Sequence, residues 1–268
     1  SDVYKRQVSY LLLLQAPDIK LLGVGAIDAD GYIDPSVEAC RKMTDLFNLR
    51  GDELTVARSN SRAVNQFPHE WRMATYSFNY LPMLNEKGHI DTKQAELPAH
   101  LDMVEKIKES KEPVTLVMTG PLTDLARALD TDPDIEKNID MLYWMGGSLD
   151  GHGNVAIVNA DGSQEWNAFW DPYAIKRVFD SNIKIQMVGL ESTEELPLND
   201  ELRQHWASLR RYPAIDLVGQ GYSMIVSIPS AELYLWDVLT TISALYPEVV
   251  ETEQAHARVI TDLSLIHI

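Results

Sequence analysis

Short apolar runs of strand length alternate with segments of helical periodicity along most of this chain. Val114 to Met118 and Met141 to Met145 are two such runs, and apolar residues recur at helical spacing between them, from Leu122 to Leu129. This alternation predicts right-handed crossovers and parallel pairing of the strands. We therefore predict an α/β fold, a mostly parallel open sheet of Rossmann-like topology with helices on both faces, followed by a helical C-terminal part.

The same patterns predict the remaining elements. Further strands are expected at 19–27, 54–57 and 183–190, and helices at 8–15, 98–108, 172–179, 200–210, 215–225 and 234–245. Asp34-Pro35 is expected to open another helix as its N-cap and first-turn proline. Residues 58–85 show no clear periodicity, which in a compact domain favours a functional excursion or lid over a linker.

Composition and charge restrict the compartment and the partners. A chain of 268 residues with 45% hydrophobic residues can bury one large core, so we expect a single domain over 1–268. Both ends lack the elements of a complete domain, and we interpret 1–7 and 263–268 as non-native ends of a truncated domain. The net charge of -17 opposes binding to nucleic acid or to an anionic membrane. The single cysteine, Cys40, fits a reducing compartment, and we expect a cytoplasmic protein.

Several common catalytic motifs are absent from the sequence. It contains no P-loop, no G-x-S-x-G nucleophile elbow and no H-E-x-x-H zinc motif. Gly23 and Gly25 lack the third glycine of a dinucleotide fingerprint. His152 is interpreted as a solvated loop histidine, with a role as proton donor as the alternative.

Oxygen-bearing side chains cluster where the predicted strands end. They are Asp28, Asp30, Asn154, Asn159, Glu165, Asn167, Glu191 and Asp237. The carboxyl ends of parallel strands form the binding edge of such a sheet. Hard oxygen ligands suit Ca²⁺ or Mg²⁺, whereas Asn and Glu together suit a vicinal diol. Asp237 interrupts an apolar run, which is costly unless the carboxylate is paired or binds a metal; an N-cap is the alternative.

These positions carry motifs that resemble the inosine-uridine-preferring nucleoside hydrolase family. The matching stretches are Thr119-Gly120-Pro121-Leu122-Thr123, Met145-Gly146-Gly147, Gly153-Asn154, Glu165-Trp166-Asn167 with Asp171-Pro172, Met187-Val188-Gly189-Leu190 and Trp236-Asp237-Val238-Leu239. They occur in the family's order and span nearly the whole chain.

The resemblance implies Ca²⁺-dependent hydrolysis of the N-glycosidic bond of a ribonucleoside to ribose and free base, in purine or pyrimidine salvage. It also implies a homodimer or homotetramer. Carried over by position, Asp237 and the carbonyl of Thr119 would bind Ca²⁺. Asn154, Glu165, Asn167 and Asp30 would hold the ribose, with Asn159 as an alternative to Asn154. Trp236 stands where many members have a histidine, and its indole would stack on the base.

The family's opening D-x-D-x-x-x-D-D motif is not preserved. Alignment places Asp2 on its second aspartate, as general base and metal ligand, Arg6 on its third and Gln7 on its fourth. We therefore predict weak or no activity for this chain. One alternative is a ribonucleoside- or ribose-binding module that does not cleave. A second is a calcium-independent glycosidase that uses Glu165 and Asp171 as its carboxylate pair.

Overall fold

The computed structural model describes residues 3–158, 160–224, 233–261 and 265–267. The helices are α1 Val3–Gln15, α2 Ile33–Phe47, α3 His69–Arg72, α4 Ala74–Asn79, α5 Pro82–Asn85, α6 Ala99–Glu109, α7 Thr123–Thr131, α8 Trp166–Trp170, α9 Pro172–Phe179, α10 Leu190–Thr193, α11 Asp200–Ser208, α12 Pro213–Ser223 and α13 Trp236–Leu245. The strands are β1 Val24–Ala26, β2 Thr55–Arg58, β3 Lys93–Pro98, β4 Val114–Met118, β5 Ile139–Met145, β6 Ile185–Val188, β7 Arg258–Ile260 and β8 Leu265–His267.

The first six strands form two parallel sheets. Strands β1, β2 and β3 pair in that order, and β4, β5 and β6 pair in that order. Strands β7 and β8 form a separate antiparallel pair. The predicted fold class is confirmed, because the sheets are parallel and carry helices on both faces. The described strands divide the parallel pairing into two sheets of three rather than one continuous sheet.

The two largest apolar cores of the described residues lie against these sheets. One joins α1, α2, α4 and α12 through side chains such as Leu14, Met43 and Phe78. The other packs α6, α7 and α9 on the second sheet and includes Leu142 and Trp144, both 0% exposed. Trp144 Nε1 also donates to the carbonyl of Gly120 at 2.9 Å, which joins β5 to the turn that follows β4. The carboxyl ends of these two strands are therefore held together.

Several predicted elements need correction. The strand expected at 19–27 is limited to β1. Asp34 lies inside the first turn of α2, and the N-cap is Tyr32, so the predicted N-cap was wrong. Strand β3 was missed because half of Lys93–Pro98 is polar and none of its residues is buried. Residues 58–85 contain the three short helices α3, α4 and α5, which are too short to show a period in sequence.

No helix within the described ranges combines the length and the apolar character needed to cross a bilayer.

Arg50 holds the C-terminal end of α1. Its Nη1 donates to the carbonyls of Leu13 at 3.0 Å and Leu14 at 3.1 Å, and also to that of Ala16. Its Nη2 pairs with Asp52 at 2.7 Å. The last carbonyls of a helix have no partner within the helix, and Arg50 satisfies them.

Replacing Arg50 with alanine should lower the free energy of unfolding by about 2 kcal/mol, because charge-assisted hydrogen bonds to these carbonyls are lost. Urea titration followed by circular dichroism measures the change. Lys176→Ala is the control, since Lys176 pairs with Asp180 at 2.6 Å with both side chains more than half exposed. That change should cost less than about 0.5 kcal/mol. Equal losses in the two variants would contradict the capping role.

Candidate active site

Glu165 closes the loop between β5 and α8. Its carboxylate accepts hydrogen bonds from the backbone N–H groups of Gly147 and Asn167 at 2.9 Å and of Ala168 at 3.0 Å. The last two bonds make Glu165 the N-cap of α8, and the first ties this helix to the end of β5. The sequence predicts Glu165 as a ribose residue. In the structure its side chain is 3% exposed, and these amides fix where Asn167 lies.

Asn167 joins three elements through one amide group. Its Nδ2 donates to the carbonyl of Met145, at the end of β5, at 3.1 Å, and to the carbonyl of Thr119, just after β4, at 3.5 Å. Its Oδ1 accepts a hydrogen bond of 2.7 Å from Arg6 Nη2 on α1. Asn167 therefore marks the point where the carboxyl ends of β4 and β5 meet α1.

Arg6 brings a guanidinium into this cluster. Its Nη1 lies 3.2 Å from Oδ1 of Asp30, which is buried on the loop after β1. A Cβ on Gly120 would lie 2.7 Å from the same nitrogen, so a side chain at this position would crowd the guanidinium. Two of the residues predicted to hold ribose, Asp30 and Asn167, are thus brought together with Arg6 between them.

Trp166 is the centre of an aromatic cluster beside these residues. Its ring stacks on Phe67 with centroids 4.9 Å apart and meets Trp71 edge-on at 5.1 Å and Phe169 at 5.8 Å. Its backbone N–H donates to Asn154 Oδ1, and its indole Nε1 donates to the Asn154 carbonyl, both at 3.1 Å. Asn154, another predicted ribose residue, therefore orients Trp166 through these two bonds.

Asp237 and Trp236 lie in the first turn of α13. The N-cap of this helix is Leu235, so the alternative reading of Asp237 as an N-cap is wrong. Asp237 is 1% exposed, and its backbone carbonyl accepts a hydrogen bond from the Thr241 hydroxyl at 3.1 Å. The ring of Trp236 lies edge-on to Tyr234 at 5.5 Å. A carboxylate this deeply buried needs compensating groups around it.

Two predicted residues, Asp2 and Asn159, lie outside the described residues. The choice between Asn154 and Asn159 as a ribose residue therefore stays a prediction. Sequence reasoning missed the role of Met145, whose sulfur also lies 3.3 Å from Asn167 Nδ2. The Met145-Gly146-Gly147 motif drew attention to the position but did not reveal that its carbonyl is an acceptor.

Asp171, the partner of Glu165 in the glycosidase alternative, has structural bonds of its own. Its Oδ1 accepts from the Ala174 N–H at 3.1 Å, which caps α9, and its Oδ2 accepts from the Thr123 hydroxyl at 2.7 Å. Both carboxylates of that alternative are therefore occupied by neighbours within the fold. This arrangement argues against their use as an acid and nucleophile pair.

The loop after β5 is held by Glu191. Its Oε1 accepts from the Ser148 hydroxyl at 2.9 Å and from the N–H groups of Leu149 at 2.5 Å and Asp150 at 3.1 Å. Hydrogen bonds from the backbone and the side chain of His152 lower the pKa of Asp150 to about 2. His152 itself is 87% exposed, as a solvated loop histidine should be.

The described residues do not fit a Ca²⁺ ion by themselves. Ca²⁺ takes about six to eight oxygen ligands, and the resemblance assigns two groups here, the Asp237 carboxylate and the Thr119 carbonyl. Over the described ranges, no group of three His, Cys, Asp or Glu side chains lies close enough together to hold a metal ion. The Arg6 guanidinium next to Asn167 also opposes a cation at this point.

Comparison with known proteins shows the family to which the chain belongs. Residues 7–265 match the family model described as inosine-uridine preferring nucleoside hydrolase. Among solved structures, an inosine-uridine preferring nucleoside hydrolase from Bacillus anthracis superposes with a TM-score of 0.93 at 41% identity, over 98% of this chain and 86% of that chain. A purine-preferring ribonucleoside hydrolase from Gardnerella vaginalis shares the fold, with a TM-score of 0.75 at 22% identity, over 98% of this chain and 84% of that one.

Curated relatives match over a shorter stretch. A pyrimidine-specific ribonucleoside hydrolase, RihA, from Shewanella woodyi is 41% identical over 99 residues. That match covers 37% of this chain and 30% of the relative, which is less than two thirds of the relative's length. The family model covers most of the chain, and the motif resemblance seen in the sequence is thereby confirmed. The chain belongs to the inosine-uridine preferring nucleoside hydrolase family.

Proposed function

We propose that this chain hydrolyses the N-glycosidic bond of a ribonucleoside to give ribose and a free base. The observation that carries the proposal is the meeting of Asp30, Thr119 and Asn167 at the carboxyl ends of parallel strands. This is the edge at which α/β folds bind small ligands. The family match supports a nucleoside as that ligand.

The proposed chemistry breaks the bond between C1′ and the base nitrogen and forms a bond between C1′ and a water oxygen. The water gives up one proton to the general base, and the departing base nitrogen takes up one proton from solvent. The positive charge that develops on the sugar would call for a carboxylate nearby. Asp30 would accept a hydrogen bond from a ribose hydroxyl and so contribute to binding in the ground state and the transition state alike. Asn167 would orient the sugar, since an amide can both donate to and accept from a hydroxyl. Glu165 would hold Asn167 in place by capping α8. Asn154 would orient Trp166 through its two hydrogen bonds. Trp236 would stack on the base.

The water needs a general base, and the described carboxylates around Asn167 are already engaged. Glu165 accepts three backbone N–H groups, and Asp30 is paired with Arg6. We therefore keep Asp2 as the proposed base, a residue that lies outside the described ranges. The guanidinium of Arg6 between Asp30 and Asn167 also supports the expectation of weak activity.

The test measures by chromatography how much free base is released from inosine, uridine and adenosine. Release that rises when Arg6 and Gln7 are both replaced by aspartate would support the proposal. No release from either chain, with the fold intact by circular dichroism, would overturn it. The relatives include enzymes named for pyrimidine, purine and inosine-uridine substrates, so the base preference of this chain has to be measured. Comparing the rates with the three substrates measures it.

Calcium dependence is a separate proposal that rests on the family resemblance. Asp237, the Thr119 carbonyl and Asp2 would be the ligands. Dialysis against EDTA should then lower the melting temperature of the chain, and added Ca²⁺ should restore it, because an ion that binds only the folded state stabilises it. An Asp237→Asn variant should lose this response. A melting temperature that changes neither with EDTA nor with added Ca²⁺ would rule out calcium binding by this chain.

A ribonucleoside-binding module without turnover is the second candidate, and the position of Arg6 favours it over the glycosidase alternative. Titration calorimetry with uridine and with ribose would then show affinity while no base is released. Affinity that persists in EDTA would show that binding needs no metal.

Further proposals are a single domain, a homodimer or homotetramer, a cytoplasmic location and a role in salvage. Light scattering after gel filtration tests the oligomeric state.

A further inference from the structure

The segment between β2 and β3 is fastened to the loop that carries Asp30. Arg72, the last residue of α3, places Nη2 at 2.6 Å from Oδ1 of Asp28. Gln66 Nε2 donates to the backbone carbonyl of the same Asp28 at 3.1 Å. Asp28 therefore receives bonds from two points of this segment, only two residues before Asp30.

The Arg72 side of its ion pair with Asp28 is shielded from solvent, while the Asp28 side chain is 30% exposed. The guanidinium carbon of Arg72 lies 4.1 Å above the centre of the Tyr32 ring, and the Arg72 side chain is 12% exposed. A planar guanidinium can stack on an aromatic ring while it pairs with a carboxylate, and an ammonium group cannot do this equally well. The pair should therefore contribute more than an exposed ion pair, which is worth less than about 1 kcal/mol.

The other side of the same segment is fastened to α8, the helix that carries Asn167. The backbone N–H groups of Val64 and Asn65 donate to the Trp170 carbonyl at 3.0 and 3.1 Å. Asn65 Nδ2 donates to the Phe169 carbonyl at 2.8 Å, and Trp170 Nε1 donates to Gln66 Oε1 at 3.1 Å. The segment 63–72 thus forms a bridge from the Asp30 loop to α8.

We propose that Arg72 is a positioning residue for the ribose site: it holds the 28–31 loop against the 63–72 segment and thereby sets where Asp30 lies relative to Asn167. This inference rests on the proposed function for its substrate. The inference is based on the attachment of segment 63–72 to both the 28–31 loop and α8. Arg72 makes the charged contact between this segment and the loop. Arg72 acts through Asp28 and needs no contact with the substrate itself.

The first test is kinetic and uses uridine as the probe. Arg72→Gln should raise the KM about tenfold while kcat changes by less than about twofold, because a displaced Asp30 weakens binding in the ground state and the transition state alike. Arg72→Lys, which keeps the charge but not the planar stack, should recover part of the loss. The control is Arg177→Gln, because Arg177 pairs with Asp130 at 2.6 Å on α9 and α7. Equal KM values for Arg72→Gln and the control would overturn the inference.

The second test needs no turnover. Hydrogen exchange measured by mass spectrometry should be faster in residues 28–32 and 63–72 of Arg72→Gln than in the parent chain or the control. Asp28→Asn should produce the same pattern, and the double variant should be no worse than either single variant, since the two residues act through one bond. Unchanged exchange in these residues would overturn the inference. Faster exchange in a chain that releases no base would support the positioning role while the hydrolase proposal fails.

Discussion

Replacing Asn167 with aspartate should lower kcat/KM for uridine by about a hundredfold, the loss seen when one oriented donor at a reaction centre is removed. The carboxylate has nearly the shape of the amide but no N–H to donate. Its oxygens would face the carbonyls of Met145 and Thr119, which now accept from Nδ2. The side chain would therefore turn or the loop would move, and the sugar would lose its orienting amide.

Asn138 provides a matched control for this change. Its Nδ2 also donates to two backbone carbonyls, those of Ile107 at 2.6 Å and Ser110 at 3.2 Å, but away from the predicted site. Asn138→Asp should lower the melting temperature and leave kcat/KM unchanged. If Asn167→Asp lowers the melting temperature by the same amount and also leaves kcat/KM unchanged, Asn167 has only a structural role. If the parent chain has no measurable turnover, uridine affinity by calorimetry replaces kcat/KM.

Replacing Arg6 with alanine should strengthen uridine binding by at least about tenfold, a difference of 1.4 kcal/mol. The guanidinium now occupies Asn167 Oδ1 and Asp30 Oδ1, both of which are proposed acceptors for ribose hydroxyls. Alanine would remove both of these contacts. The buried carboxylate of Asp30 would then no longer share Oδ1 with the guanidinium, so a ribose hydroxyl could donate to this oxygen in its place.

Arg6→Lys tests the same idea with the charge retained, and it should show little of the gain. Calorimetry with uridine and with ribose measures both variants, and circular dichroism shows whether each is folded. Weaker binding in Arg6→Ala than in the parent chain would mean that the guanidinium is itself part of the binding site. In that case the arginine at the position of the family's third aspartate would indicate that this chain binds a different ligand, not that it is a damaged enzyme.

The sequence was most informative where periodicity and caps agree. Strand β4 and helix α9 have the predicted bounds, because β4 is a largely apolar run of strand length and Asp171 caps α9 just before Pro172. Strand β3 has neither signal, since half of its residues are polar and none of Lys93–Pro98 is buried. The helix expected from Asp34 begins earlier, at Ile33, because the backbone of Tyr32 supplies the extended N-cap conformation without a capping side chain.

The site was predictable as a set of positions but not as a set of bonds. The motifs selected Glu165 and Asn167, and both lie at the strand ends as expected. A motif cannot say which donors a buried carboxylate accepts, so the three backbone bonds of Glu165 had to be observed. The contact between Arg72 and Asp28 could not be predicted from the sequence either, because the two residues are 44 positions apart and Arg72 lies in a segment without clear periodicity.

The division of the parallel strands into two groups has a consequence for biosynthesis. Strands β1 to β3 lie between residues 24 and 98, and β4 to β6 between 114 and 188, so each group can assemble from a contiguous stretch of nascent chain. Asp30 belongs to the first stretch, and Thr119 and Asn167 belong to the second. We therefore expect each stretch to acquire structure in the order in which it leaves the ribosome. Affinity for a ligand would arise last, when the two halves dock.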